Sequence, residues 1–391
     1  MGIILTILAI AVVTFGGLYW FIQLYSTILV VKNIRSVASL KSPVKRSWPR
    51  VSVIMPARNE AATIEQALHI RCESDYPDLE LIVINDRSTD DTGVIAERIA
   101  KTDDRVRVIH IETLPEGWIG KLYAMHVGAQ QAQGEWLLFS DVDVHVKSGT
   151  LRRVIAWCEE KAIDHMAIIP DLYPTSFLLD VTLSVFMRHI CVLGRPWNAG
   201  NPESKDAVGA GAFNLVRRKA FDHAHGFETM KLTVTDDVVF GRILKQTGAR
   251  AGVLNGRDHV NVYFYRTLHD MACGSERALF TMFANFSAAR LILIGTLMLF
   301  LELAPFIALL FFALPVLQMI GAGLTLTALV VSLVVNIYLG RPWWTSFFVP
   351  VAIMIMYICM VRAAILGKKR GGIYWRGTFY SSEQLRKGRQ I

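Results

Sequence analysis

The chain has 391 residues, 53% of them hydrophobic and 19% charged, with a formal net charge of +8, which is enough for one sizeable core plus a membrane part. The positive charge does not mark a nucleic-acid surface. Lys32, Arg35, Lys41, Lys45, Arg46 and Arg50 follow one apolar segment, Arg362, Lys368, Lys369, Arg370, Arg376, Arg386, Lys387 and Arg389 follow another, and the remainder is net acidic, so the basicity belongs to membrane flanks, which the positive-inside rule places in the cytoplasm beside anionic headgroups.

In chain order, Ile3 to Val31 contains no charged residue. A run that long without a small-residue cleavage pattern reads as a retained membrane anchor (1–31), followed by a basic linker (32–50). Strands then alternate with helices, the pattern of a mainly parallel sheet covered by helices, an α/β fold. Val51 to Met55 is a strand that Pro56 is expected to end. Ala57-Arg58-Asn59-Glu60 leads into a helix from about Ala62 to Ile70. Leu81 to Ile84 is a second strand, closed by Asn85-Asp86 and the cap-rich Arg87 to Thr92, where Asp90 and Asp91 read as helix caps. Val106 to Ile111 is a third strand, and after Gly117-Trp118-Ile119-Gly120 a helix runs from Lys121 to about Gln131. The buried run Trp136 to Phe139 stops at Asp141-Val142-Asp143.

Ligands of open α/β sheets sit at the carboxyl ends of strands, and Glu60, Asp86, Asp141 and Asp143 all fall there. Two carboxylates one residue apart suit an oxygen-loving divalent ion, Mg²⁺ or Mn²⁺, that completes its shell with substrate phosphates. Asp86 at a strand end suits a base or ribose, and Lys121 at a helix start suits the same diphosphate. Asp236-Asp237 also read as caps of a helix from Val238 to Gln246 that stops at Gly248. His145, His259, His269 and the His223/His225 pair show no metal spacing, with His259 left open as a third ligand. The five cysteines, Cys72, Cys158, Cys191, Cys273 and Cys359, are scattered and read as small core residues in a reducing compartment.

The second apolar block, Leu291 to about Leu366, has room for two or three crossings. Full crossing by three helices would put the two basic flanks on opposite sides, so one segment is expected to be interfacial or re-entrant. Leu291 to Pro315, with Glu302 and Pro305, is the first choice, and Glu302 needs a partner, a cavity or the interface. Phe177 to Leu193 and Tyr263 to Ala289 read equally as core or span, or as headgroup-plane segments forming an entrance for a lipid hydroxyl.

Taken together, Pro56-Ala57-Arg58-Asn59-Glu60, Asn85-Asp86-Arg87-Ser88, Asp141-Val142-Asp143, Gly209-Ala210-Gly211-Ala212-Phe213 with Arg217-Arg218, and Thr235-Asp236-Asp237 resemble, in order and spacing, the motifs of inverting family 2 glycosyltransferases of GT-A fold. The resemblance covers about 51–266. Gly117 to Lys121 and the tail Trp375-Arg376-Gly377-Thr378-Phe379-Tyr380 look most like membrane members that glycosylate lipids, including hopanoid-associated, carotenoid and ceramide glycosyltransferases. One departure is the absence of Gln-x-x-Arg-Trp; Gly274-Ser275-Glu276-Arg277-Ala278-Leu279 stands roughly in its place, which argues against chain polymerisation.

The resemblance implies a GT-A catalytic domain (51–266), an amphipathic interfacial segment (267–290), C-terminal transmembrane helices (291–367) and a basic cytosolic tail (368–391). It implies Asp237 as general base with Asp236 orienting it or binding the acceptor, and a metal on Asp143 with Asp141. Pro56, Arg58, Glu60, Asp86, Lys121 and Asp141 would bind the nucleotide-sugar, and Arg277, Gly211, Trp375 and Arg376 would meet the acceptor or diphosphate. The donor is expected to be a UDP-sugar, since the family mostly uses UDP, the acceptor a lipid in the bilayer, and the location a bacterial inner membrane with the catalytic domain cytoplasmic. The rival readings are a polyprenyl-phosphate hexose synthase, kept open by Arg188, Arg195, Arg217 and Arg218, a processive polysaccharide synthase, and a non-catalytic membrane scaffold.

Overall fold

The computed structural model describes residues 2–41, 47–312 and 314–388; Lys45, Arg46 and Arg389 of the basic flanks lie outside the described residues. Its soluble part is an eight-stranded sheet in the order Arg35–Ser36, Ala251–Asn255, His165–Ile169, Asn214–Arg217, Trp136–Phe139, Val51–Ala57, Leu79–Asp86, Val106–Ile111. Asn214–Arg217 runs antiparallel to both its neighbours, whereas the other described pairings of this sheet are parallel. Strands buried on both faces need continuous apolar runs, and every residue of Val51–Ala57 and Trp136–Phe139 is buried. Pro56 does not end its strand as expected. It pairs in register with Ile84, while the neighbour on the other side has already ended at Phe139 opposite Ile54, so a residue without an N–H is tolerated there.

From Val51–Ala57 the chain builds outward through Leu79–Asp86 and Val106–Ile111, then returns to the opposite side of the first strand with Trp136–Phe139. The reversal opens a crevice at the carboxyl ends of Val51–Ala57 and Trp136–Phe139, the place where doubly wound sheets bind ligands. The helix Gly120–Gln131 packs on one face of these strands. The helix Ile64–Cys72 packs on the other.

Among the described residues, five helices are long and apolar enough to cross a membrane: Thr6–Asn33, Phe177–Asn198, Ala288–Leu310, Pro315–Tyr338 and Trp343–Arg370. Phe177–Asn198 is the most enclosed of these, and Leu179, Leu183, Met187 and Cys191 are buried in the sheet domain's core, so it serves as packing between the sheet domain and the bundle. Leu291 to Pro315 is not a re-entrant loop. Ala288–Phe311 is one continuous helix with Pro305 inside it, about 36 Å long at 1.5 Å per residue. Glu302 is fully buried there because Arg188 Nη2 lies 2.7 Å from Oε2 and His189 Nε2 3.1 Å from Oε1, with the Tyr19 hydroxyl also donating to it. The segment tied to the soluble domain at both ends is instead Val349–Arg370. Ahead of it, Arg341 donates to the Leu172 carbonyl at 2.9 Å and to Asp180 at 3.0 Å; at its end, Arg370 pairs with Glu276 at 2.8 Å.

Candidate active site

Three chain segments meet at the crevice. The turn after Trp136–Phe139 carries Asp141, the helix Gly120–Gln131 opens with Lys121, and the helix Asp236–Gln246 opens with Asp236 and Asp237. Lys121 Nζ stands 2.8 Å from Asp141 Oδ1 and 3.4 Å from Asp236 Oδ2. Burial alone would depress the lysine, but the charges of Asp141 and Asp236 hold its pKa above the ordinary value, so it stays an ammonium.

The loop through Gly209 and Gly211 fixes Asp237. The Gly211 N–H donates to Asp237 Oδ2 at 3.1 Å, the Val238 N–H donates to Oδ1 at 2.8 Å, and the Asp141 N–H donates to the Gly211 carbonyl at 2.9 Å. A methyl group on Gly211 would lie 2.9 Å from Asp141 Oδ2 and 3.4 Å from Lys121 Nζ, which is why this position approaches so closely only as glycine. Burial, then the charge of Asp236, push Asp237 up to about 6 against the pull of Lys121 and the two N–H groups. That is a carboxyl poised to take a proton near neutral pH.

Asp143 lies deeper. Burial, then Asp141 and Glu60, push it up to about 6, and among the described residues no lysine, arginine or histidine forms a salt bridge with it. An all-oxygen donor set crowded with like charge is what a hard divalent cation relieves, so Asp141 and Asp143 fit such an ion with substrate oxygens completing its shell. No group of three or more His, Cys, Asp or Glu among the described residues is arranged to hold a metal without substrate. His259 joins no such group: its Nδ1 meets the Thr150 hydroxyl at 3.0 Å, and the charges acting on it are Lys147, Arg153 and Asp258. His145 pairs with the Tyr173 hydroxyl at 2.9 Å.

At the carboxyl end of Leu79–Asp86, Asp86 is buried beneath Arg87, whose Nε donates to it at 2.7 Å, and Arg58 Nη1 stands 3.9 Å away. Gly120 packs against this pair, since a Cβ there would meet Arg87 and Asp86 at 2.6 Å. Asp90 is not the helix cap that its sequence context suggests: it stands one residue before the N-cap Asp91 and accepts from the Ala61 and Thr92 N–H groups at 3.1 Å as a turn contact. Asp91 makes no side-chain cap bond. Pro56 lines the same hollow as Lys121, Asp141, Gly211, Asp236 and Asp237. Glu60 is met by Arg376, and Arg277 stacks 4.9 Å from the Trp375 ring.

Sequence reasoning missed Arg71. Its side chain is buried at the end of the helix Ile64–Cys72, donates to Ser140 Oγ at 2.5 Å and feels the charges of Asp143 and Asp141, while burial lowers its pKa to about 10. The signal available was a cation on the apolar side of a short helix. The four arginines that kept a phosphate acceptor open are otherwise engaged: Arg188 on Glu302, Arg195 on Asp206, Arg217 on Glu135 and Asp164, and Arg218 on the carbonyls of Ala132 and Gly134.

A doubly wound sheet with carboxylates, a lysine and a helix-borne acid pair at its switch point defines the class: a GT-A sugar-transferase fold. Residues 52–224 match the model of Glycosyl transferase family 2, and this stretch is a family 2 glycosyltransferase domain. Among curated proteins, the chain is 33% identical over 112 residues to the GalNAc(5)-diNAcBac-PP-undecaprenol beta-1,3-glucosyltransferase of Campylobacter jejuni, which covers 29% of this chain and 35% of that protein. It is 27% identical over 205 residues to the beta-monoglucosyldiacylglycerol synthase of Nostoc, 50% of this chain and 41% of that one. The chain thus spans well under half the length of these relatives. Among solved structures, the mannosyltransferase PcManGT of Pyrobaculum calidifontis, in complex with GDP-Man and Mn²⁺, matches with a TM-score of 0.52 at 18% identity over 92% of this chain and 96% of that one. At that identity the likeness is one of fold.

Proposed function

We propose that this protein is an inverting glycosyltransferase that moves a sugar from a nucleotide-diphosphate donor, a UDP-sugar first among them, to the hydroxyl of a membrane lipid. The observation that carries the reading is the placement of Asp237, held by two backbone N–H groups with its pKa raised to about 6, beside the Lys121–Asp141 pair. Asp237 would take the acceptor hydroxyl's proton as the oxygen attacks the anomeric carbon from the face opposite the leaving diphosphate, in one displacement without a covalent intermediate. Asp236, bound to Lys121, orients the base; Lys121 sets positive charge beside the diphosphate; Asp86 and Arg58 hold the nucleoside edge. A Mg²⁺ or Mn²⁺ ion on Asp143 and Asp141 would supply the charge neutralisation that makes a diphosphate a good leaving group.

Support for a lipid acceptor comes from the five long apolar helices around the domain and from the names of the two relatives, an undecaprenol-linked glucosyltransferase and a glucosyldiacylglycerol synthase. A hydroxyl is favoured over a lipid phosphate because Arg188, Arg195, Arg217 and Arg218 are already engaged. The basic flanks favour a cytoplasmic catalytic domain on a bacterial inner membrane. The PcManGT complex with Mn²⁺ makes that ion the first to try.

The test is nucleotide release by the purified chain in detergent from a panel of UDP- and GDP-sugars, with Mn²⁺, Mg²⁺ or EDTA, with and without membrane lipid extract. The reading expects one donor to turn over only with both metal and lipid. Turnover of no donor would return the scaffold reading to the front.

A further inference from the structure

The C-terminal strands Gly372–Trp375 and Thr378–Ser381 pair as a two-residue hairpin whose tip is Arg376-Gly377. Both tip residues have positive φ, 45° and 81°, the geometry that hairpin turns of this length ordinarily fill with Asn-Gly or Gly-Gly. Arginine there carries a backbone cost, and such outliers persist where the side chain has a task.

The hairpin is firmly seated. Ile373, Trp375 and Tyr380 are buried in the same core as Trp118, Ile119 and Leu122 of the Lys121 segment. Arg277 stacks on Trp375, and Arg370 just ahead of the hairpin pairs with Glu276. The Tyr380 hydroxyl meets the Gly120 backbone and feels Asp86 and Arg87. One strand of the hairpin therefore borders the nucleoside edge, and its tip hangs over the metal edge. There, Arg376 Nη2 lies 3.2 Å from Glu60 Oε1, and Nη1 donates to the Arg58 carbonyl at 3.2 Å.

We propose that Arg376 is a donor-phosphate ligand, delivered over the crevice by the C-terminal hairpin and able to exchange its contact with Glu60 for the diphosphate. This rests on the nucleotide-sugar reading of the site. A half-exposed single contact to a carboxylate is easily given up. A guanidinium fork on a diphosphate makes two parallel charge-assisted bonds, which a lysine reproduces only as a point charge. Asp143 already lies within electrostatic reach of Arg376, so a diphosphate held beside Asp143 would face the hairpin tip.

The experiment is calorimetric titration of the full chain in detergent with Mg²⁺, using UDP against UMP and GDP against GMP, for the parent, R376Q and R376K. The parent is expected to bind one diphosphate more tightly than its monophosphate. R376Q should lose at least tenfold in diphosphate affinity while monophosphate binding stays within twofold, and R376K should recover part of the loss. Retained monophosphate binding also shows that the variant is folded. An R376Q protein that keeps the parent's diphosphate preference, or that loses both nucleotides equally, overturns the proposal while the site reading stands. A parent that binds none of the four overturns both.

Discussion

The buried charge cluster among three of the long apolar helices gives a prediction with a magnitude. Arg188 and Glu302 are 1% and 0% exposed, and Arg188 also donates to Gln23 at 3.0 Å and stacks on Trp20 at 4.9 Å. Removing one partner strands a buried charge, at a cost of about 3–5 kcal/mol, whereas replacing both by apolar residues of similar volume is neutral or stabilising. With an unfolding entropy of about 2.1 cal/mol/K per residue, the 391 residues convert that cost into a fall in Tm of about 4–6 °C. Arg188→Leu and Glu302→Leu should each show it in thermal unfolding followed by tryptophan fluorescence in detergent. The double variant should return close to the parent. A double variant whose Tm falls by the sum of the two singles would refute the pairing.

Arg71→Met removes the cation behind Ser140, Asp141 and Asp143. With a buried positive charge that repels the ion gone, it should lower the divalent-ion concentration needed for half-maximal turnover, read by Mn²⁺ titration. A rise would show that Arg71 acts instead by holding Ser140 in place. Gly211→Ala drives a methyl group against Asp141 and Lys121; it should cut turnover about a hundredfold while circular dichroism stays that of the parent. For the pH profile, Asp237 must be deprotonated to act as a base, and its pKa is raised to about 6. Activity should therefore fall tenfold per pH unit below about 6 and level off above it; an acid limb near the ordinary carboxylate value of about 4 would count against Asp237 as the base.

The part of the site that was legible in the sequence is the part that physics places at strand ends. Glu60, Asp86, Asp141 and Asp143 stand out because apolar strands end in carboxylates there. What was not legible depends on contacts across long stretches of chain. That Glu302 needs a partner is legible in its apolar run, but which partner is not, because Arg188 lies 114 positions away. The tip of the C-terminal hairpin reaches Glu60 across 316 positions, a contact that no local pattern announces, although the tail motif itself reads as meeting the acceptor or diphosphate. Pro56 looked like a strand end because a proline lacks a donor, and only the shorter neighbouring strand explains why it is tolerated. Arg71 has no motif, since a buried cation is defined by what surrounds it.

The most direct test of the account is Asp237→Asn, assayed for lipid-dependent release of nucleotide from the donor that the parent turns over. Loss of a general base predicts a fall of about 10²–10⁴-fold in turnover, with binding of the nucleoside diphosphate unchanged. A variant that turns over donor at the parent's rate would contradict the assignment of Asp237 as the base, and with it the proposed mechanism.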